Sequence, residues 1–552
     1  MHGPAFQEGH RVQPLIEAEE TYAAIETAID RAEDEVLMAY WTLTPDLDLV
    51  TDRAENWEAL LSRAVGRGVR FRVLLADFDP VFTPTLHRSA WRTYRRLMDL
   101  SGPSNRAEAT LQVMCSQNPV RPGLPEIVAG NVAAQFRIGR LIERLAASAE
   151  EGGGGGDAAR RAFATAPGLW RHIVRRGDRF VRRQPRPANL LPGTHHEKLC
   201  IVDRRTAFVG GLDIGERRYD TLRHDRETPW HDLACRLEGP AVALLTHHFV
   251  DRWNVELEAF RDFMDDLPDF EEKADVRPAE LRPMTDGAEA AGGTGAEGEV
   301  AVATSRSGGE SPAALDVDRR ITSISAAIEE IVGAARRFLY IETQYLRARS
   351  VTDRLIRAAR ENPELEIILL LPLAPDRLDP DAGWSTPTRH GHWLQYRNIR
   401  RLRRALGERV GVFTLVSRQP AGDDDAPEDT VLGARGIYVH AKTIVADDRI
   451  AMVGSANLNG RSLALDTEAA ILWRQPAAVR EFRQRLWHHH LGFAMPDDFD
   501  PARHSALALW NRAAAVNMRA GITARPGFAI ALENGRARRK ARPSPFVRSR
   551  YV

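Results

Sequence analysis

Hydrophobic positions along the chain follow two spacings, one typical of helices and one typical of buried strands. Segments 15–33 and 54–66 carry apolar residues at helical spacing, and short apolar runs follow them at 36–43 and 69–78. The same order of helix, strand, helix and strand returns over 322–337, 338–346, 352–361 and 367–373. This repetition predicts a duplicated α/β fold with buried strands.

Two segments of low complexity interrupt the pattern. The glycine run at 150–159 predicts a flexible insert, and the stretch 285–314, rich in Gly, Ala, Ser and Glu, predicts a linker between the halves. A chain of 552 residues has room for several domains. We expect an N-terminal half over 1–265, an acidic linker over 266–318, a C-terminal half over 319–495 and a C-terminal extension over 496–552.

The composition is that of an ordinary globular protein, but its basic residues are unusual. The 76 basic and 76 acidic side chains cancel, so any attraction to phosphate must be local. Four of the basic residues are lysines, namely Lys198, Lys273, Lys442 and Lys540. Where lysine persists in such an arginine-rich chain, we expect a compact ammonium group to be required. The three cysteines are too few for a disulfide framework, and no CxxC pair suggests zinc.

The pattern HxKxxxxD occurs once in each half, and a turn of small residues follows each copy. The residues are His196, Lys198, Asp203, Gly210, Gly211 and Asp213 in the first copy, and His440, Lys442, Asp447, Gly454, Ser455 and Asn457 in the second. The copies align without a gap, which argues strongly against coincidence. On a strand, residues two apart share a face, so each copy presents an imidazole beside an ammonium group. Two such pairs, brought together at a pseudo-twofold, would flank one phosphorus atom and neutralise its oxygens.

These residues resemble the two HKD motifs of the phospholipase D superfamily, over 196–203 and 440–447. The segments GGLDIGERRYD, PWHDLACRLEGPAVALLTHHFVDRWN, YIETQYL and GSANLNGRSLALDTEAAI also resemble the catalytic core of eukaryotic-type phospholipase D. The likeness reaches from about residue 30 to 490. It implies two α/β/α sandwich halves related by a pseudo-twofold, with the active site between them.

The resemblance implies a role for each site residue. His196 would be the nucleophile that forms a covalent phosphohistidine, and His440 would protonate the leaving group and then activate water or an alcohol. We expect Asp232 to orient His196 and Glu468 to orient His440. The residues expected to bind the phosphate group are Lys198, Lys442, Asn457, Asp213 and Ser455, while Asp203 and Asp447 complete the catalytic motifs as structural supports.

The implied function is that of a phospholipase D. Such an enzyme hydrolyses the distal phosphodiester of a glycerophospholipid, such as phosphatidylcholine, to phosphatidate and a free headgroup alcohol, with transphosphatidylation as a side activity. Three alternatives stay open: a phosphatidyltransferase of the cardiolipin or phosphatidylserine synthase type, a nuclease-like phosphodiesterase, and a lipid-binding protein without activity.

The resemblance also bears on partners and location. We expect no cofactor and no metal, a phospholipid substrate at a membrane or micelle surface, no specific nucleic acid, and a monomer that is sufficient for activity. The N-terminus lacks an apolar run of signal-peptide length, and the apolar stretch 367–371 is too short to span a bilayer. A cytoplasmic protein, or one exported without a signal peptide, is therefore expected.

Several polar segments keep two interpretations. The basic segments 171–186 and 536–552 are either solvated surface or sites for anionic headgroups or nucleic acid. Glu342 and Gln344 either line the substrate pocket or are buried within the fold. The three histidines at 488–490 end an amphipathic segment, and we interpret them as helix-end residues and not as metal ligands.

Overall fold

The computed structural model contains two α/β halves. Among the described residues, the first half is built on a sheet of seven strands, and the second on a sheet of twelve strands, seven of which form an equivalent core. The structure describes residues 4–100, 110–120, 124–151, 161–177, 179–183, 193–267, 298–306, 321–374, 385–492, 495–496, 498–533, 541–545, 547–549 and 552.

The first half alternates helices with strands, as the hydrophobic pattern predicts. Its strands are β1 (Arg11–Ile16), β2 (Glu35–Tyr40), β3 (Arg70–Ala76), β4 (Leu111–Ser116), β5 (Ile173–Arg176), β6 (Arg179–Arg182), β7 (Leu199–Val202), β8 (Thr206–Gly210), β9 (Trp230–His231) and β10 (Leu233–Glu238). Its helices are α1 (Glu17–Asp30), α2 (Trp57–Gly66), α3 (Pro84–Asp99), α4 (Leu124–Glu151) and α5 (Val242–Asp265).

The second half repeats this alternation. Its strands are β11 (Val300–Arg306), β12 (Ile321–Thr322), β13 (Phe338–Glu342), β14 (Glu366–Leu370), β15 (Val410–Pro420), β16 (Thr430–Val431), β17 (Ala434–Val439), β18 (Thr443–Ala446), β19 (Ile450–Gly454), β20 (Glu468–Trp473) and β21 (Ala529–Ala531). Its helices are α6 (Ser323–Ala334), α7 (Arg349–Glu361), α8 (Thr386–Leu406), α9 (Gly460–Ala464), α10 (Pro476–Leu491) and α11 (Ala506–Arg519).

The two core sheets share one strand order. It is β1-β10-β8-β7-β2-β3-β4 in the first half and β11-β20-β19-β18-β13-β14-β15 in the second. In both sheets four antiparallel pairs are followed by two parallel pairs. The prediction of a duplicated α/β fold is therefore confirmed.

Helices cover both faces of the second sheet, and β14 illustrates the two layers. Ile367 and Leu369 belong to a core built with helices α6, α7 and α8. Ile368 and Leu370, on the opposite face, belong to a larger core that also contains strands and helices of the first half. Successive side chains on a strand point to opposite faces of the sheet and therefore pack into different layers. A continuous apolar core therefore joins the two halves.

Besides shifts of a few residues at element ends, the structure adds strand pairing to three segments that the sequence pattern assigned otherwise. Residues 15 and 16 extend β1, which pairs with β10, so the helix predicted from residue 15 begins at Glu17. Strand β11 lies within the predicted linker 266–318 and pairs with β20. Strand β21, in the C-terminal extension, pairs with β15.

Parts of the predicted flexible and basic segments lie outside the described residues. These parts are 152–159 of the glycine-rich insert, 268–297 and 307–318 of the linker, 178 and 184–186 of the first basic segment, and 536–540, 546, 550 and 551 of the second. The described part of the first basic segment contains the β5–β6 hairpin. Among the described residues, no helix combines the length and the apolar character needed to cross a bilayer.

Candidate active site

His196 and His440 lie beside each other where the two halves meet. Their ring centroids are 6.5 Å apart, and their side chains are 14% and 4% exposed. Both histidines were predicted to lie on strands, but each lies three residues before its strand, β7 or β18. The rings are close enough for both to contact one phosphate group.

A carboxylate from the opposite half contacts each histidine. His196 Nδ1 lies 3.1 Å from Glu468 Oε2, and His440 Nδ1 lies 2.6 Å from Asp232 Oδ2. The sequence-based pairing of Asp232 with His196 and of Glu468 with His440 is therefore wrong. A carboxylate on Nδ1 leaves Nε2 as the ring nitrogen available to react.

Short strand pairings between the halves cause this exchange of partners. The backbone N–H of His196 donates to the Thr467 carbonyl at 2.9 Å, one residue before Glu468. Strand β9 pairs with β17, and the His440 N–H donates to the His231 carbonyl at 2.8 Å, one residue before Asp232. The segment carrying each histidine therefore runs beside the segment that carries the carboxylate of the other half.

Burial and positive charge tune the two histidines. Burial lowers the pKa of both imidazoles well below the usual value, and the ammonium groups of Lys198 and Lys442 lower it further. Without a bound anion the two rings are therefore neutral at neutral pH. A neutral ring with Nδ1–H directed at a carboxylate keeps a free electron pair on Nε2.

The two motif lysines lie next to the histidines. Their side chains are buried, and each ammonium group donates to the carbonyl of its own motif histidine, at 2.7 Å for Lys198. Burial lowers the pKa of both lysines, to about 7 for Lys442. A bound phosphate anion would offset this effect by stabilising the charged form.

Burial has the opposite effect on the two carboxyl groups. Burial raises the pKa of Asp232, and it raises the pKa of Glu468 to about 7. Lys198 and the Ser455 hydroxyl oppose the rise at Glu468. The Ser455 hydroxyl donates to this carboxylate, so it orients Glu468 and is not free to bind phosphate as predicted.

Asp213 and Asn457 hold equivalent positions after the two motifs but make different contacts. Asp213 accepts hydrogen bonds from the backbone N–H groups of Trp41 and Thr42 at 3.0 Å, and its other oxygen lies 3.6 Å from Lys198 Nζ. Its carboxylate therefore positions Lys198, and the predicted contact with phosphate is wrong on grounds of charge. Asn457 Nδ2 donates to Gln344 Oε1 at 3.2 Å.

Asp203 and Asp447 do not join the site. They follow β7 and β18, at the ends of these strands remote from the motif lysines, with φ of 51° and 52°. Asp203 accepts from the backbone N–H groups of residues 33–35, and Asp447 from those of residues 336–338. Each aspartate therefore fixes the loop before a neighbouring strand and takes no part in proton transfer.

Aromatic and polar side chains that the motif did not reveal surround the histidines. Trp41 lies edge-on to His196 with centroids 6.1 Å apart, and Trp230 lies 5.0 Å from His440. The guanidinium of Arg218 lies over both tryptophan rings, at 5.7 and 5.1 Å. Strand register places Trp41 at the position of Gln344 in the other half. This equivalence is the one signal in the repeat that could have revealed Trp41.

The sequence left two interpretations open for Glu342 and Gln344, and the structure places these two residues in different surroundings. Glu342 is buried and contacts His231 and His490, away from the two motif histidines. Gln344 donates to the hydroxyl groups of Tyr345 and Tyr438 and contacts Asn457, so it lies at the site. Of the three histidines that end α10, His488 is exposed while His490 is buried.

Comparisons with known proteins agree with this geometry. The family model described as "Cardiolipin synthase, PLD-like domain" matches residues 328–490. Phospholipase D alpha 2 of Arabidopsis thaliana is 26% identical over 432 residues, which cover 58% of this chain and 52% of that protein. Phospholipase D1 of Saccharomyces cerevisiae is 25% identical over 402 residues, 58% of this chain and 23% of that protein. Like the duplicated motif, these matches make the chain similar to phospholipase D proteins, over 58% of its length for these two relatives.

The matches leave part of the relatives uncovered. The chain spans about half the length of the plant relatives it matches. Among solved structures, phosphatidylserine synthase of Haemophilus influenzae is similar over 88% of each chain, with 13% identity and a TM-score of 0.49.

Proposed function

We propose that the protein is a phosphodiesterase that acts on glycerophospholipids as a phospholipase D. The observation that carries the proposal is the pair His196 and His440, each bound to a carboxylate at Nδ1 and flanked by the two buried lysines. Two imidazoles with free Nε2 atoms supply a nucleophile and a general acid, and two ammonium groups neutralise the phosphate.

The first step forms a covalent intermediate. The Nε2 electron pair of His196 attacks phosphorus, and the bond from phosphorus to the headgroup oxygen breaks. His440, protonated when the anionic substrate binds beside it, gives its Nε2 proton to the departing oxygen, so the headgroup leaves as a neutral hydroxyl. Glu468 stabilises the positive charge that develops on His196.

The second step regenerates the protein. His440, now neutral, takes a proton from water, and the water oxygen attacks phosphorus. The phosphorus–nitrogen bond breaks, and its electron pair returns to His196. Phosphatidate is the product, and a small alcohol in place of water gives a transphosphatidylation product.

The choice of a lipid substrate is supported by the relatives. The matched plant and yeast proteins are named phospholipase D. One chain carries both histidines and both carboxylates, so we propose that a monomer is active and that it binds the lipid surface peripherally.

Trapping the intermediate tests the proposed chemistry. The protein is mixed briefly with phosphatidylcholine in micelles, quenched, digested and examined by mass spectrometry. We expect a phosphatidyl adduct on the peptide that contains His196, and its loss in His196→Asn. An adduct on the peptide of His440 would reverse the two roles, and no adduct on either histidine would refute the covalent mechanism.

Phosphatidyl transfer is a second candidate, because the family model that matches residues 328–490 is described by cardiolipin synthase. Product analysis with mixed micelles of phosphatidylglycerol and phosphatidylcholine separates the two activities. Phosphatidate as the main product supports hydrolysis. A diphosphatidyl product formed without an added alcohol would replace hydrolysis by transfer.

A further inference from the structure

Histidines and carboxylates from both halves meet in a buried cluster behind the candidate active site. We call it the histidine cluster; its members are Glu17, Asp220, His224, His231, Glu342 and His489. Glu17 begins α1, while His489 lies in the last turn of α10. The side chain of His489 is 9% exposed, and the other five are buried.

Four members each direct one potential ligand atom to a common point. These atoms, from Glu17, His224, His231 and His489, all lie within 4.8 Å of one another. His489 Nε2 is 3.1 Å from both His224 Nε2 and Glu17 Oε1, and His224 Nε2 is 3.5 Å from Glu17 Oε1. Two ligands of a tetrahedral zinc ion, with bonds of about 2.0–2.1 Å, lie about 3.3 Å apart. These three atoms therefore form one face of a tetrahedron of the size that zinc requires.

The other nitrogens of two histidines contact carboxylates. His224 Nδ1 lies 2.8 Å from Asp220 Oδ2, and His231 Nε2 lies 2.8 Å from Glu342 Oε2. Asp220 also accepts from the Trp230 N–H at 2.7 Å, which fixes the orientation of its carboxylate. In metal sites the second ring nitrogen of a ligating histidine usually donates to such a carboxylate, and this bond directs the electron pair of the first nitrogen at the metal.

The charges of the histidine cluster also favour a cation. It holds three buried carboxylates, and in the part of the chain that the structure describes all their ion pairs are with histidines. Buried carboxylates need compensating charge. A divalent cation would provide that charge at one point.

We propose that Glu17, His224, His231 and His489 bind a zinc ion. Three nitrogen donors and one carboxylate oxygen suit zinc better than calcium or magnesium, which prefer oxygen ligands. His231 Nδ1 lies closer to Glu17 Oε1 than two ligands of one ion do, so binding requires a small shift of one of these side chains.

The ion would have a structural role. It would tie α1 and the segment from 220 to 231 of the first half to α10 of the second half. His231 directly precedes Asp232, which contacts His440. The proposed zinc ion therefore stabilises the junction of the halves next to the catalytic residues, and it does not depend on the proposed function.

Metal analysis of the full-length protein tests the proposal. The protein is purified without a histidine tag, dialysed against zinc and then against metal-free buffer, and its zinc is measured by mass spectrometry. We expect one zinc per chain in the wild type, and loss of that zinc in His224→Ala and His489→Gln. His488→Ala is the matched control, because His488 is the exposed neighbour of His489 on the same helix.

Two further measurements keep the proposal testable if a variant fails to fold. Cobalt substituted into the wild type should give the strong visible absorption of a tetrahedral site, and zinc added to the metal-free wild type should raise its melting temperature. A wild type without zinc above the level of the buffer and with no response to zinc would overturn the proposal. So would folded variants that bind zinc as the wild type does; in either case the histidines share protons without a metal.

Discussion

At the scale of single residues, the surroundings of the two motif histidines differ although their motifs align. His196 is paired with Glu468, whose carboxylate accepts a hydrogen bond from Ser455. His440 is paired with Asp232. In the first half, which carries Asp232, Gly211 occupies the position equivalent to Ser455. The two pairs therefore differ in the hydrogen bonds that their carboxylates accept.

The crossed pairing can be tested through the leaving group. Asp232→Asn should impair His440 as a general acid, and it should lower kcat/KM for phosphatidylcholine about 10²–10⁴-fold. It should largely spare the burst of p-nitrophenol from phosphatidyl-p-nitrophenol, because this leaving group needs no proton. Glu468→Gln should slow both reactions, because it acts on the nucleophile His196. Stopped-flow absorbance measures the burst.

The control is Asp225→Asn, because Asp225 is an exposed acidic residue close to Asp232 in the sequence. It should leave both reactions unchanged. The reverse result would be a loss of the p-nitrophenol burst in Asp232→Asn and its retention in Glu468→Gln. It would mean that Asp232 acts on His196 and Glu468 on His440, so that the observed pairing does not govern catalysis.

Ser455→Ala should change the pH dependence of the reaction. The Ser455 hydroxyl stabilises the ionised form of Glu468, whose pKa is raised to about 7 by burial, so its removal should raise that pKa further. The carboxyl group then stays protonated up to a higher pH, and His196 loses its negative partner below that pH. We expect the acid limb of kcat/KM to move to higher pH while activity at alkaline pH is retained.

The buried serine Ser417, which contacts Gln419 and not the site, supplies the control Ser417→Ala. Its pH profile should match that of the wild type. An acid limb of Ser455→Ala that stays in place or moves to lower pH would contradict the assignment of that limb to Glu468.

At the scale of elements, the repeated sheets explain what the sequence could and could not predict. The hydrophobic pattern predicted the alternation of helices and strands, because the spacing of apolar residues within one element is a local property. The partners of the histidines depend on β9 pairing with β17 and on Thr467 pairing with the segment before His196. These contacts join residues more than 200 positions apart, and the spacing within a half contains no signal for them. Asp232 was therefore recognised as a site residue but assigned to the nearer histidine.

The position of the Asp232 carboxylate depends on the absence of a side chain at residue 211. A Cβ atom at Gly211 would lie 2.1 Å from Asp232 Oδ1, so Gly211→Ser should displace the carboxylate that contacts His440. Overpacking of this kind costs about 1–3 kcal/mol of stability. We expect a folded protein with kcat/KM reduced at least about tenfold, because the displaced carboxylate no longer orients His440, and the loss of about 1.4 kcal/mol of transition-state stabilisation lowers the rate tenfold. Urea unfolding and steady-state kinetics measure the two effects.

Gly66→Ala is the matched control, because a Cβ atom at this position of α2 would meet nothing within 4 Å. It should keep full activity. Gly211→Ser with wild-type activity would mean that Asp232 moves without affecting His440, and the orienting role of that carboxylate would then be wrong.

At the scale of the whole molecule, one apolar core and the crossed strand pairs hold the halves together. The larger core contains Leu37 and Phe208 of the first half together with Tyr340 and Trp473 of the second half. Hydrophobic burial of this extent dominates association. We therefore expect the halves to stay together without the covalent connection, although the candidate active site contains residues from both.

Cutting the connection tests this view. A protease site is placed between residues 285 and 297, within the predicted linker, and the purified protein is cleaved. We expect the two fragments to elute together in size-exclusion chromatography and to retain most of the hydrolytic activity, because the contacts that join them are not covalent. The same protein without the inserted site, treated with the protease, is the control.

Mixing cleaved variants extends the test to the active site. Cleaved His196→Ala and cleaved His440→Ala are each expected to be inactive, because each lacks one of the two imidazoles. When the two are unfolded and refolded together, some fragments re-pair so that the intact first half of one meets the intact second half of the other, and activity should return. Fragments that separate on the column, or a refolded mixture that stays inactive while refolded cleaved wild type recovers, would show that the covalent connection is required.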